Sequence, residues 1–349
     1  MKKILVGIGD AHLRNRAFYK KGLKDFINWI DQILPDSKKE DTEIILAGDI
    51  LHRVYMLPLV SALALDLFEI LHRKASTVYA ILGNHDYGLN KYKVVNSQVL
   101  LERMGVVVIN KFCDYITKNG FNLCCLPWVY GSSHAKVQKY IEENTKGKSY
   151  DALVTHWELE SVAGSPYIDI SSIDTKAYFC GHIHSHDTNP QYLGSILPNS
   201  VAENKDYDHS VIRLLAKDMD TGNVKQAEMT IPSFLTLKKC TIQSLTDLKN
   251  LEVNENVFYK ICHSPIINDH DVYVQARLLG LHVYKTEPIR EDEEAFEPGE
   301  FKELSIDKKY TSQDPKDILT AYKDKLGLTD EEYTDCLQII EEVASRKIA

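Results

Sequence analysis

Four short strings in this chain end in side chains that bind divalent cations: Gly9-Asp10-Ala11-His12, Gly48-Asp49, Gly83-Asn84-His85-Asp86 and Gly181-His182-Ile183-His184. Each follows an apolar run of strand character, over 4–8, 44–47, 78–82 and 177–180, and His156 directly follows a further one at 152–155. Two divalent cations held ~3.5–4 Å apart can clamp a phosphate ester and ionise a water between them. Carboxylates, an amide and imidazoles are the mixed ligands such a pair takes, and they suit manganese, iron or zinc better than calcium. The candidate ligands are Asp10, His12, Asp49, Asn84, His156, His182 and His184. One carboxylate has to bridge the two ions, and Asp49, alone on its loop, suits that position. Gly-Asp by itself occurs in many turns, and a lone strand-end histidine is more often structural. The inference rests on the complete, ordered set.

Ligands at successive strand ends require a layered α/β domain, with strands that deliver loops to one edge. From Met1 to about Leu215 the pattern alternates accordingly. Leu23, Phe26, Ile27, Ile30, Ile33 and Leu34 recur at helical spacing after the first strand, and Pro35 closes that helix. A second helix opens near Pro58, a favoured first-turn residue. It is apolar over more than one stripe, which fits either a helix deep in the core or one that also meets another subunit. Further helices are expected over 94–104 and near 137–143, with strands at 106–109 and 122–126. Beyond Leu235 the texture changes to a small α/β module, with strands at 235–242, 257–262 and 281–284 and helical stretches at 244–251 and 270–279. The last forty or so residues read as a helical hairpin. Asp314-Pro315 opens it, Gly327 breaks it, and Thr329-Asp330-Glu331-Glu332 caps its second helix.

The bulk composition is that of a globular protein, 44% apolar and 26% charged over 349 residues. No apolar stretch is long enough to cross a bilayer. The opening Met1-Lys2-Lys3-Ile4 reads as a first strand and not as a signal peptide, because its apolar run stops at Gly9-Asp10. Seven cysteines without a Cys-x-x-Cys pair argue for free thiols and a reducing cytoplasm. The formal net charge of −9 is concentrated between Glu287 and Glu303, where eight acidic residues face only Arg290 and Lys302. Net charge therefore neither demands nor excludes a nucleic-acid substrate.

The strings Asp-x-His, Gly-Asp, Gly-Asn-His-Asp, His and Gly-His-x-His resemble the calcineurin-like metallophosphoesterase superfamily over about the first 210 residues. The resemblance implies an α/β layered sandwich with two divalent ions, manganese first, with magnesium, iron(II) or zinc as alternatives. Asp10, His12, Asp49 and His184 would hold one ion, and Asp49, Asn84, His156 and His182 the other. His85 would protonate the leaving oxygen, with Asp86 orienting its imidazole. Within the superfamily the chain resembles the SbcCD-type nuclease subunit. Gly48-Asp49-Ile50-Leu51-His52 matches that branch, in which the histidine contacts the scissile phosphate. Thr155-His156-Trp157-Glu158-Leu159-Glu160 is similar to the phage recombination endonuclease subunits, and Tyr192-Leu193-Gly194-Ser195 to a turn of the branch.

That resemblance implies four parts: a nuclease domain over 1–230, a DNA-facing capping module over 235–286, an acidic linker over 287–311, and a helical hairpin over 312–349. In the family the hairpin binds an SbcC-type coiled-coil ATPase. The implied activity is 3′-to-5′ exonuclease on duplex ends and endonuclease on single strands, in DNA end processing, repair, recombination and replication. The implied assembly is a homodimer without membrane association, in the cytoplasm (the host's, for a phage-encoded protein). A small-molecule phosphodiesterase or protein phosphatase with the same metals is the alternative, and a non-catalytic DNA-binding scaffold a third. Leu13-Arg14 stands where the family has Leu-Gly after Asp-x-His, and Arg14 and Arg16 read either as phosphate contacts or as a solvated loop.

Overall fold

The runs that precede the first three cation-binding strings become adjacent strands. In the computed structural model, which describes residues 1–54, 58–90, 93–161, 165–186, 189–200 and 210–289, β1 (Lys2–Ile8), β2 (Thr42–Leu46) and β3 (Thr77–Ile81) lie parallel and side by side. They are joined through α1 (Ala17–Ile33) and α2 (Pro58–Lys74). After β3 the chain makes an antiparallel hairpin of β4 (Tyr87–Asn90) and β5 (Lys93–Asn96), then α3 (Gln98–Arg103) and β6 (Val107–Ile109), which pairs with β3. A helix over 94–104 is thus only half realised. The β-branched pair Val94-Val95 goes to the hairpin, and the helix starts after Ser97, whose amide is held by the Asp86 carbonyl at 2.9 Å.

A second sheet follows. It uses β7 (Cys113–Ile116) and β8 (Asn122–Leu126), then passes through α4 (His134–Asn144) and the short β9 (Ser149–Tyr150) to β10 (Ala152–Thr155). The short β11 (Asp174–Thr175), paired with β9, leads on to β12 (Tyr178–Cys180). The order is β12-β10-β8-β7, parallel except for β7. The chain then returns to the first sheet. β13 (Val211–Asp218) runs antiparallel beside β1, and β14 (Val224–Thr230) beside β13, giving the order β14-β13-β1-β2-β3-β6.

The period of two along each strand sorts side chains into layers. Leu5, Ile45, Tyr79 and Ile81 face inward and pack with Leu123, Cys125, Val154 and Phe179 of the second sheet. Their alternates Val6, Ile44, Leu46, Val78 and Ala80 pack outward against α1 and α2, through Phe26, Ile30, Leu67 and Leu71. On the far side Cys124, Leu126 and Leu153 meet Val137 and Ile141 of α4. Because both faces of the central strands are buried, they read as continuous apolar runs. The result is the α/β sandwich expected from sequence, two sheets between helical layers. α2 belongs mainly to the core: Leu63, Ala64, Leu67, Phe68 and Leu71 are buried, while Leu65 is exposed.

The region after 235 forms a three-stranded parallel sheet of β15 (Thr236–Ile242), β16 (Val257–His263) and β17 (His282–Pro288), with α5 (Asp269–Leu278) between β16 and β17. It has its own core of Ile242, Leu248, Tyr259, Ile261, Val272 and Ala276. Phe258 and Tyr284 lean on Phe18 at the start of α1, with ring centroids 5.9 and 5.2 Å apart. β17 runs past the expected strand end at Tyr284. Glu287 pairs with Lys260 and Lys285, so residues 287 and 288 extend this sheet. The rest of the acidic linker from 290 onward and the hairpin at 312–349 lie outside the described residues. Among the described residues no helix is long and apolar enough to cross a membrane, and the cysteines are free thiols.

Arg213 on β13 locks the two sheets together. Its buried guanidinium donates to the carbonyls of Tyr178 at the start of β12, Pro190 and Gln191, and pairs with Glu228 of β14. Arg213→Ala leaves the carbonyls of Tyr178, Pro190 and Gln191 without their buried donor, a loss of about 1–3 kcal/mol. Urea unfolding should show a midpoint lowered accordingly with an unchanged slope.

Candidate metal centre

Each candidate ligand sits just past a strand end. Asp10 follows β1 and bridges to Ser195, and the amides of His12 and Leu13 are held by the carbonyls of Asp49 and Ile50. Gly48-Asp49 follows β2, Asn84 follows β3, His156 follows β10, and His182 and His184 follow β12. Among the described residues, the non-glycine residues with positive φ are His12 (44°), Asp49 (46°) and His182 (83°). Backbone of this kind costs of order 1–3 kcal/mol per residue and persists where the surroundings enforce it. All three are candidate ligands.

The glycines in the strings make room for this approach. A methyl group at Gly83 would land on the Asp49 carboxylate and the His156 ring, and one at Gly181 would land on Asp10 and the Ala47 carbonyl.

The ligand atoms converge in two groups that share Asp49. Its Oδ1 lies 3.3 Å from His156 Nε2, and its Oδ2 lies 3.5 Å from His12 Nε2. On the first side, Asn84 Oδ1 is 3.1 Å from both His156 Nε2 and His182 Nδ1. On the second, His12 Nε2 and His184 Nε2 are 2.9 Å apart, and His184 Nε2 is 3.5 Å from Asp10 Oδ2. Ligand atoms that each stand ~2.1 Å from a shared cation are about 3 Å from one another, so these separations fit cation coordination. Asp10, His12 and His184 form one compact set of potential ligands, and Asp10, Asp49 and His156 another.

The electrostatics fit as well. Burial disfavours a charge on His156, yet Asp49 and Asp10 hold it at about 10, as strong a pull on positive charge as a cation site needs. Burial pushes Asp10 up to about 7 against the pull of His156 and His184. Burial also opposes the Asp49 charge, but His156 and then His12 hold its carboxyl well below the usual range. His12 is driven well below the ordinary imidazole range by burial, which keeps its lone pair available to a metal. His156 Nδ1 lies 2.7 Å from the Ala47 carbonyl, so Nε2 is the nitrogen turned to the centre.

Beside the His12 group stand His52 and His85, their rings stacked at 5.3 Å and 15°. His85 meets the edge of His12 at 4.9 Å, and its amide is held by Asp49 Oδ1 at 2.8 Å. One expectation is corrected here. Asp86 does not orient the His85 ring. It is fully buried and accepts from the amides of Gly83 (3.0 Å), Leu51 (3.1 Å) and Ile50 (3.3 Å), tying the Gly83 turn to the loop after Asp49. The reason is geometric, since one turn of 3-10 helix over Asn84–Asp86 folds that carboxylate back onto its own N-terminal amide. The His85 ring is oriented instead by the His52 carbonyl, which accepts from Nδ1 at 3.1 Å and leaves Nε2 facing outward.

A search of known families matches residues 4–186 to the calcineurin-like phosphoesterases. The chain belongs to that family. No curated protein matches the sequence. As a calcineurin-like phosphoesterase it is a metal-dependent hydrolase of phosphoesters, and the dinuclear centre typical of the family agrees with its clusters of candidate histidine and aspartate ligands.

Sequence reading missed Glu158 and His134. Glu158 Oε1 lies 2.9 Å from His182 Nε2, and Oε2 lies 2.9 Å from His134 Nε2. The only trace in the sequence is that Glu158 stands two residues beyond His156 and so leaves the same strand end. His186 has a structural place, with Nδ1 2.6 Å from the Tyr192 carbonyl.

Two divalent ions per chain are expected by elemental analysis after manganese loading, with Asp49→Ala losing more than Asp10→Ala. Manganese at a hundredfold excess over Kd should stabilise the fold by about 2.7 kcal/mol for each ion bound, read as a rise in melting temperature that chelation reverses.

Proposed function

We propose that the chain is a DNA phosphodiesterase of the SbcCD type, an exonuclease and single-strand endonuclease. The observation that carries this reading is a groove of about 260 Å³ beside the centre, lined by Leu13, Arg14, Asn15, Arg16, His52, Arg53 and Val60. Three guanidinium groups beside one phosphate-sized centre suit a substrate with several phosphates in a row better than a compact monoester. Arg14 is held over the Phe18 and Tyr19 rings and bonded to Asn199, so its charge is presented in a fixed place.

When bound, the two cations supply Lewis acidity and lower the pKa of water toward 7. The chain's own residues do the rest. Asp10, His12, Asp49 and His184 would hold one cation, and Asp49, Asn84, His156 and His182 the other. Burial, with the charge of Arg14 and the neighbouring His85, holds His52 at about 4. It is therefore neutral at pH 7 and donates one N–H to a phosphate oxygen. His85, with Nδ1–H given to the His52 carbonyl, would act as the imidazolium, passing its Nε2 proton to the departing sugar oxygen and returning to neutral imidazole. Asp86 keeps the turn that carries Asn84 and His85 in register with the Asp49 loop.

The proposed partner is an SbcC-type coiled-coil ATPase bound through 312–349, with a homodimer as the assembly. Deletion of 312–349 should abolish co-purification with that ATPase while sparing manganese-dependent hydrolysis. His85→Ala should lower kcat on DNA about 10²–10⁴-fold with little change in KM, measured in single-turnover and steady-state assays. If a chromogenic diester or a phosphopeptide is turned over while duplex and single-stranded DNA are untouched, the small-molecule or phosphatase alternative holds instead.

A further inference from the structure

We infer that Glu158 is a positioning residue for the cation subsite of Asn84, His156 and His182, and that His134 holds it in place. A neutral imidazole has one donor and one acceptor nitrogen. His182 turns Nδ1 toward the centre, 3.1 Å from Asn84 Oδ1, and Nε2 toward Glu158 at 2.9 Å. To offer a lone pair at Nδ1, the ring must carry its proton on Nε2, and the Glu158 carboxylate is the acceptor that keeps it there. Carboxylates in this position fix a ligand's tautomer and ring orientation and raise its basicity.

The carboxylate is itself pre-set. Its second oxygen meets His134 Nε2 at 2.9 Å. The Glu158 carbonyl accepts from the Ile168 amide at 2.8 Å, and the Leu159 amide donates to the Tyr192 hydroxyl at 2.7 Å. Trp157 meets the His134 ring edge-on at 5.1 Å and donates Nε1–H to the Pro127 carbonyl. His134 opens α4, where the Ser133 hydroxyl accepts from the Lys136 amide. His182, at φ 83°, has a backbone conformation that needs outside support, and Glu158 supplies it at the side chain. The inference rests on the metal-dependent reading of the centre and not on which phosphodiester is cleaved.

The test is manganese titration of the metal-free, full-length chain, with free ion read by electron paramagnetic resonance and two dissociation constants resolved. Glu158→Ala should weaken one of the two about 10–100-fold and leave the other within twofold. Glu158→Gln, which keeps an acceptor oxygen, should fall in between, and His134→Ala should give a smaller selective loss. Nitrogen-15 spectra of the histidines should show His182 as the Nε2–H tautomer in the parent chain and a mixture in Glu158→Ala. Should Glu158→Ala fail to fold, as judged by circular dichroism, Glu158→Gln and His134→Ala carry the test. Unchanged constants, or an equal loss at both sites, overturn the inference and leave the metal centre standing. A parent chain that takes up no manganese, zinc or iron overturns the metal reading and this inference with it.

Discussion

The structure turns on one carboxylate facing two ways. Asp49 presents Oδ1 to His156 and Oδ2 to His12, and its Oδ1 also takes the His85 amide. Placing a charge there requires a φ of 46°, a preceding glycine at φ 98°, and near-complete exclusion of water. None of these is favourable alone. Histidine fields from both flanks offset the burial cost, and Asp86 fastens the loop after Asp49 to the Gly83 turn through three amides. Shifting Asp49 would disturb both ligand groups and the proton donor together.

The sandwich explains why such a site lies where it does. β1, β2 and β3 of one sheet and β10 and β12 of the other are parallel within their sheets, so each sheet sends its loops out at one edge. The centre draws ligands from both. Asp10, His12, Asp49 and Asn84 come from the first sheet, and His156, His182 and His184 from the second. Arg213 joins the same two sheets by hydrogen bonds to the carbonyl of Tyr178 at the head of β12. The rigidity the chemistry needs is thus borrowed from the packing between sheets.

Much of this was legible in the sequence, and the parts that were not share a cause. The strands before the ligands announced themselves because both their faces are buried, which writes a continuous apolar run, and the glycines after them marked the bends. β14 left no such mark. Its side chains at Lys225, Gln226, Ala227 and Glu228 are exposed, so an edge strand reads as surface. The paired strands Tyr87–Asn90 and Lys93–Asn96 were hidden because valines of helical spacing also suit a strand. Asp86 was assigned to its neighbour His85, yet chain adjacency does not fix where a side chain points. Glu158 and His134, 24 residues apart, are joined only by the fold. The family and the metal chemistry could be read from the string of ligands. The hydrogen bonds that orient those ligands could not.

The pairing of β13 with β1 sets Lys2 opposite Asp218, so two neighbouring strands of one sheet are separated by more than two hundred residues of chain. The last of the ligands, His184, likewise emerges long after Asp10. Neither the sheet nor the ligand set is closed by local contacts alone, because partners such as Asp10 and His184 meet only across a long stretch of chain, and such non-local pairings slow folding.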